Sequence, residues 1–389
     1  MLQPASLAHL DALTALENHC FETDRLSRRN FRHMLTKANA ALIVDEQDGQ
    51  LRGYVLVLFS RGTSMARLYS IAVDPAWRGQ QISNALVDAA EQVTLEHDCV
   101  VLRLEIRRDN PASLALFQRK GYKPFKVVPD YYEDHMDALR FEKHLAPELS
   151  TALRKVPYYR QTLEFTCGPA VLIMAMRALS PTAYPQQEPQ PESRAIVKST
   201  SGQDLDRRLE LQLWREATTI FMTSGHGGSS PYGLALAAYR RGFDVEIFVS
   251  ERGVFLANSV RSTEKREVMR LVQEDWLNQL QSLPVPVQYG RLPVQAMQEK
   301  FDQGGIPLVL ISSYRIYRER APHWVIVTGF DDRFVYTHDP YVDEEEGETV
   351  TDSINMPIPR RDFERMAQYG RKALKAVVIV RQRRQTADG

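Results

Sequence analysis

The chain has little sulfur, no imbalance of charge and no long apolar stretch. Only three cysteines occur in its 389 residues, Cys20, Cys99 and Cys167, too few and too scattered for a disulfide framework or a structural zinc site. Basic and acidic residues number 49 each, which removes any global electrostatic argument for nucleic acid or an anionic membrane as the partner. No window approaches the ~18 consecutive apolar residues of a membrane span. Near the N-terminus, Asp11, Glu17, His19, Glu22 and Asp24 interrupt any signal-peptide core. These absences predict a cytoplasmic protein that spans no membrane and holds no metal.

A chain of this length exceeds one comfortable core, so two α+β domains are expected. Hydrophobic periodicity predicts helix over 6–37, a hairpin through Asp48-Gly49, a strand over 68–73, a helix over 82–97, a strand over 100–106 and a helix over 111–120. That first domain ends at 145, and the proline-bearing segment 146–156 reads as a linker. The second domain spans 157–382 and is followed by a tail, 383–389. Within it, 180–203 is rich in Pro, Gln and Ser and reads as a mobile surface insertion. Helices over 203–221, 231–241 and 294–303 and strands over 245–249, 307–311, 323–328, 334–337 and 376–380 complete the pattern.

Cys167 ends the segment Gln161-Thr162-Leu163-Glu164-Phe165-Thr166-Cys167 and precedes Gly168-Pro169-Ala170 and an apolar run to Met176. The run predicts a buried helix with a thiol at its N-terminus, where free N–H groups and the helix dipole favour the thiolate. Downstream, His323 opens a strand and Asp339 closes the next. With Phe330, Asp331 and Asp332 as a three-residue hairpin loop, residue 329 faces 333 and His323 faces Asp339. An imidazole with a carboxylate behind it is what a thiol nucleophile needs. Gln161 can turn its amide toward the Cys167 N–H to form an oxyanion hole. His226, in Gly225-His226-Gly227, reads as part of a surface turn. His338 is expected on the opposite face of its strand from Asp339.

Gln161, Cys167-Gly168-Pro169-Ala170, His323 and Asp339-Pro340 together resemble the bacteriocin-processing, double-glycine leader peptidases, a papain-like cysteine peptidase family, over about 155–382. The resemblance implies a papain-like fold with Cys167 as nucleophile, His323 as base, Asp339 as orienting acid and Gln161 as oxyanion donor. Members of that family are typically fused to membrane transporters, and no membrane segment is present here, so leader cleavage is not carried over.

In the first domain, Leu68 to Val73 leads through Asp74-Pro75-Ala76-Trp77-Arg78-Gly79-Gln80-Gln81 into the helix at Ile82-Ser83, a strand–loop–helix able to hold a pyrophosphate on backbone N–H groups. With Leu104-Glu105-Ile106, Asp109-Asn110-Pro111 and Leu116-Phe117 to Lys120-Gly121-Tyr122, this resembles the GNAT N-acetyltransferases, in particular those acting on protein N-termini. The resemblance implies a mixed sheet flanked by helices. It implies acetyl-coenzyme A along Ile71 and Val73, its pyrophosphate on Arg78, Gly79, Gln80, Gln81, Ile82 and Ser83, and Asn110 near the pantetheine arm. Glu105 matches the catalytic base. The family's loop carries glycine where Gln81 stands, and glycine or alanine where Ser83 stands. Phe117 replaces the tyrosine acid, leaving Tyr122 or water as substitute.

The combined expectation is a bifunctional enzyme acting on peptides or proteins, joining acetyl-coenzyme A-dependent N-acetyl transfer to Cys-His-Asp peptidase chemistry. The alternative is a cysteine peptidase or amide-forming acyltransferase regulated by a GNAT module that binds without catalysing. The acidic run 343–346 and the basic cluster 381–384 read as solvated segments.

Overall fold

The computed structural model describes residues 1–146, 152–185, 202–219, 227–257, 260–317, 321–343, 349–350, 352–370 and 373–383. Two compact units are present, Met1–Ser150 and Thr151–Gly389.

The first unit contains β1 (Leu2–Pro4), α1 (Leu10–Cys20), α2 (Arg28–Thr36), β2 (Ala40–Gln47), β3 (Gln50–Phe59), β4 (Met65–Val73), α3 (Ile82–Glu96), β5 (Val101–Arg107), α4 (Pro111–Arg119), β6 (Lys123–Val128) and β7 (Ala138–His144). The helix expected over 6–37 is broken. Ser27 ends the break by capping α2, its hydroxyl accepting from the Asn30 N–H, and the Glu17 carboxylate accepts from the Leu26 N–H at 2.8 Å. The β2–β3 hairpin turns where expected, with Asp48 and Gly49 at φ 52° and 75°, as a two-residue turn matching strand twist requires. Sheet order is β1-β2-β3-β4-β5-β7-β6, parallel only between β4 and β5. Leu86, Val87 and Phe117 pack with Val55, Val57, Leu102 and Leu104 on one face; Leu13 and Phe31 pack with Val44, Tyr54 and Leu56 on the other.

The second unit contains β8 (Ala152–Leu153), α5 (Cys167–Leu179), α6 (Gly202–Ala217), α7 (Pro231–Arg240), β9 (Phe243–Val249), α8 (Thr263–Gln281), β10 (Val287–Tyr289), α9 (Val294–Asp302), β11 (Ile306–Ser312), α10 (Tyr314–Tyr317), β12 (Pro322–Phe330), β13 (Phe334–His338), β14 (Met356–Pro359), α11 (Arg360–Met366) and β15 (Ala376–Gln382). Its sheet runs β10-β9-β15-β11-β12-β13-β14. Strand alternation divides its core. Leu308, Leu310, Trp324, Ile326, Val378 and Val380 face α5 and α7, whereas Val309, Ile311, Val325, Val327, Val377 and Ile379 face α9 and α11.

Two expectations are revised and one lies beyond the described residues. Ala152 and Leu153, inside the expected linker 146–156, form β8 and pair with Phe330 and Gly329 of β12. Most of the insertion expected over 180–203 lies outside the described residues, as does His226. The β12–β13 register is also shifted. Phe330 faces Val335, a bulge falls between Val327 and Gly329, and Ile326 faces His338, so by extension Asp339 stands opposite Val325. The turn is longer than expected because the Asp331 carboxylate accepts from the N–H groups of Arg333 and Phe334, at 2.8 and 2.7 Å.

Candidate active sites

In the second unit, α5 is buried from Cys167 to Arg177, as an uninterrupted apolar run demands. Cys167 and Gly168 occupy its first two positions, where backbone N–H groups have no intrahelical acceptor. Gly168 is there for space, because a Cβ would lie 2.7 Å from the Ser229 Cβ and 2.8 Å from its Oγ. Ser229 is itself held by Trp324, whose indole Nε1–H donates to the Ser229 carbonyl at 3.0 Å. The thiol-bearing helix and the strand bearing His323 are thus tied through one residue.

His323 and Asp339 do meet, with Nε2 and Oδ1 2.6 Å apart, although they are not opposite in the ladder. His323 and Val325 share a face, and a long side chain reaches the diagonal neighbour of its own face. Asp339 Oδ1 also accepts from the Tyr341 N–H at 2.8 Å, which fixes the carboxylate. Burial alone would lower the pKa of His323; the charge and hydrogen bond of Asp339, followed by those of Cys167, outweigh it and raise the pKa from 6.5 to about 10. Nε2 is committed to the carboxylate, so Nδ1 is the nitrogen left for proton exchange with the thiol. Rings flank the pair, Tyr317 lying edge-on to His323 at 6.2 Å and to Tyr341 at 5.0 Å.

Gln161 is drawn to the same place by backbone stitching. Its N–H donates to the Pro340 carbonyl at 2.9 Å, and the Tyr158 hydroxyl donates to the Asp339 carbonyl at 2.9 Å. One amide hydrogen of Gln161 is used on the Leu163 carbonyl, at 2.9 Å; the amide has a second. His338 is structural, its Nδ1 accepting from the Asn355 N–H at 2.9 Å and its Nε2 lying 3.0 Å from the Val156 carbonyl. Among the described residues no cluster of His, Cys, Asp and Glu could hold a metal, and no helix is long and apolar enough to cross a membrane.

In the first unit, β4 and β5 pair only from Met65↔Val101 to Arg67↔Arg103 and then part, leaving Ile71 and Val73 beyond the last pair. Ile82 opens α3 as expected, and Gln81 precedes it at φ 64°, ψ 9°. Gly79 is also left-handed, at φ 81°. The position where the resembled family carries glycine therefore does need a left-handed backbone, and Gln81 adopts it under strain. Its side chain is turned onto Asn84, whose amide donates to Gln81 Oε1. We expect Gln81→Gly to be more stable by about 0.5–1 kcal/mol, since relief of ~1–2 kcal/mol of left-handed strain exceeds the added chain entropy of ~0.5–1 kcal/mol. Urea unfolding checks this, and a less stable variant would show the strain to be absent.

Asn110 caps α4, its side chain accepting from the Ser113 N–H at 3.0 Å. The Glu105 side chain is enclosed between two arginines: Arg67 Nε donates to Oε2 at 2.9 Å, and Arg140 Nε lies 3.3 Å from Oε1. Arg67 also donates to the Tyr131 hydroxyl at 2.7 Å. This two-arginine clamp could not be read from local sequence, because the arginines come from flanking strands. Tyr122 does not suit the role of substitute acid. It is buried, edge-on to Phe117 at 5.2 Å, and burial followed by the charge of Glu91 drives its phenol far above the ordinary value. Phe117 belongs to the core.

Comparison with known proteins gives matches in both units. A family model described as "Acetyltransferase (GNAT) family" matches residues 9–122, and one described as "Peptidase_C39 like family" matches 156–192 and 193–381. The putative [ribosomal protein bS18]-alanine N-acetyltransferase of Bacillus subtilis is 27% identical over 129 residues, 33% of this chain and 84% of that protein. The N-alpha-acetyltransferase of Sulfurisphaera tokodaii is 30% identical over 115 residues, 27% of this chain and 69% of that protein. The solved ribosomal-protein-S18-alanine N-acetyltransferase of Escherichia coli is 21% identical, with a TM-score of 0.35 over 37% of this chain and 93% of that one.

Proposed function

Since the chain belongs to the Peptidase_C39-like family in its second unit and carries a GNAT acetyltransferase domain in its first, we propose that it modifies peptides or protein termini with two acyl-transfer sites. One is a papain-like thiol hydrolase and the other an N-acetyltransferase using acetyl-coenzyme A. The observation carrying the hydrolase is His323, held by Asp339 at 2.6 Å and near enough to Cys167 for the thiol to help raise its pKa.

In the hydrolase, the Cys167 thiolate attacks the scissile carbonyl carbon, and the oxyanion is received by the Cys167 N–H and the second amide hydrogen of Gln161. The His323 imidazolium passes its Nδ1 proton to the departing amine as the C–N bond breaks, leaving a thioester. Water then adds to the thioester, giving its proton to His323, and the thiolate departs. Asp339 keeps the ring oriented and charged through the first half.

The acetyltransferase fits its donor in outline. The parted strands leave the Ile71–Val73 edge for the pantetheine, and the first turn of α3 offers N–H groups to the pyrophosphate. Acetyl-coenzyme A would supply an activated thioester. Glu105 is the proposed base for the acceptor amine, and Arg67 and Arg140 orient it. That clamp, with the strained Gln81 and the buried Tyr122, favours a second reading in which this domain binds the donor or a peptide and regulates the hydrolase without transferring acetyl groups. Peptide acetylation with radiolabelled acetyl-coenzyme A, beside calorimetric binding, separates the two.

For the hydrolase, the full chain is treated with peptidyl vinyl sulfones and the adduct is mapped. Burial raises the pKa of Cys99 to about 12 and also raises that of Cys20, so modification is expected at Cys167 alone. Label spread over all three thiols, or absent from Cys167, would overturn the hydrolase.

A further inference from the structure

A buried carboxylate that takes no part in the acyl-transfer steps holds the thiol loop from behind. Glu210, on α6, is fully buried and accepts hydrogen bonds on both oxygens. Oε1 accepts from the Thr162 N–H at 2.9 Å and the Thr166 hydroxyl at 2.5 Å. Oε2 accepts from the Thr162 hydroxyl at 2.6 Å and the Tyr159 hydroxyl at 2.9 Å. Burying a carboxylate is expensive unless its lone pairs are filled, and these are filled by donors that bracket Gln161 and end one residue before Cys167. α6 grips the surroundings elsewhere too, through Asp206 to Arg177 of α5 at 2.5 Å and through the Trp214 indole N–H to the Gly227 carbonyl at 2.8 Å.

The bond to Thr166 has a particular consequence. Thr166 is the N-cap of α5, a position where a threonine hydroxyl ordinarily accepts from an N–H of the first turn. Here it makes no such bond. The Leu163 carbonyl, at 2.9 Å, competes for the same hydroxyl proton, and the shorter, charge-assisted contact to Glu210 takes it. Pro169 occupies the third helical position and offers no N–H. The hydroxyl oxygen accepts instead from the Leu163 N–H at 3.3 Å, outside the helix, so the first-turn N–H groups of Cys167 and Gly168 receive no cap from it.

We propose that Glu210 is a positioning residue: it fixes Gln161 relative to Cys167 and withholds the Thr166 hydroxyl from the first turn of α5, so that the oxyanion donors are in place before substrate arrives. This rests on the assignment of Cys167 as nucleophile. The role predicts a separation of two measurements on the same sulfur. Alkylation by iodoacetamide requires only the thiolate, whereas acylation by an ester requires the thiolate and the oxyanion donors.

The test uses the full chain with N-benzyloxycarbonyl-glycine p-nitrophenyl ester and follows p-nitrophenolate release, beside iodoacetamide alkylation of Cys167. Glu210→Gln is expected to lower kcat for the ester about a hundredfold, the order that loss or misplacement of oxyanion donors produces. KM and the alkylation rate should stay within about twofold of wild type, and Thr166→Val should reproduce part of the kcat loss. The Thr166→Val variant guards against a Glu210 variant that fails to fold. An inert wild type removes the nucleophile assignment itself. An active wild type matched by both variants overturns the positioning role alone, as does a parallel fall in alkylation and turnover.

Discussion

Replacement of Cys167 by alanine is expected to reduce peptide hydrolysis by at least about a thousandfold while leaving the fold and the acetyltransferase domain unchanged. Loss of a nucleophile that acts with its base as one unit removes nearly the whole covalent route, and such losses reach about 10⁶ in turnover. The thiol is small and buried, and alanine fills most of the same volume without a polar atom, so melting temperature should move little. His323 then lacks the thiol but keeps Asp339, its principal partner. Product masses after incubation with peptides measure the effect. Hydrolysis by the variant within tenfold of wild type would transfer the chemistry to another group.

The second large effect concerns pH. Asp339 and Cys167 hold the His323 pKa near 10 against the opposing influence of burial. The imidazolium that the proposed mechanism uses on the leaving amine therefore persists through neutral pH, and the alkaline limb of the hydrolysis profile should lie toward 10. With Asp339→Asn the charge is lost while burial remains, so this limb should move acidward by several pH units, and activity at pH 8 should fall steeply while activity near pH 5 falls less. Stability follows the same sign. Because the folded pKa exceeds the unfolded one, the pair's contribution is fully present below 6.5 and is lost as pH rises toward 10. Urea titrations at pH 6 and 9 should show this decline in wild type and a flatter response in Asp339→Asn. Superimposable pH profiles for the two proteins would remove Asp339 from its role.

The helices and strands with strong apolar periodicity were legible in the sequence. α3, α5, α7 and β12 begin and end within a few residues of expectation, because their apolar cores are regular. α8 was not legible. Its buried stripe, Met269, Gln273, Trp276 and Leu280, has helical spacing, but a glutamine stands in it and charged residues fill the rest. The His323–Asp339 contact was expected from a register that the structure does not have; the two meet as diagonal neighbours, because a bulge and an Asp331-filled turn are events that pairing arithmetic does not contain. Glu210 gave no local signal: its partners lie 44 to 51 positions away along the chain. The clamp on Glu105 was hidden for the same reason, since it exists only once three strands are side by side.

β8 bears on how such a chain could have been assembled. Ala152 and Leu153 extend the second sheet, the Arg154 N–H donates to Thr328 at 2.8 Å, and its guanidinium donates to the carbonyls of Phe301 and Gly304 at 2.9 and 3.0 Å while stacking on the Phe301 ring. The second unit therefore carries its own N-terminal anchor, and a join that preserved both units would have to fall between His144, the last residue of β7, and Ala152. A join at 157, where the apolar pattern resumes, would strip β12 of a neighbour and leave the carbonyls of Thr328, Phe301, Gly304 and Gly305 without their Arg154 donor.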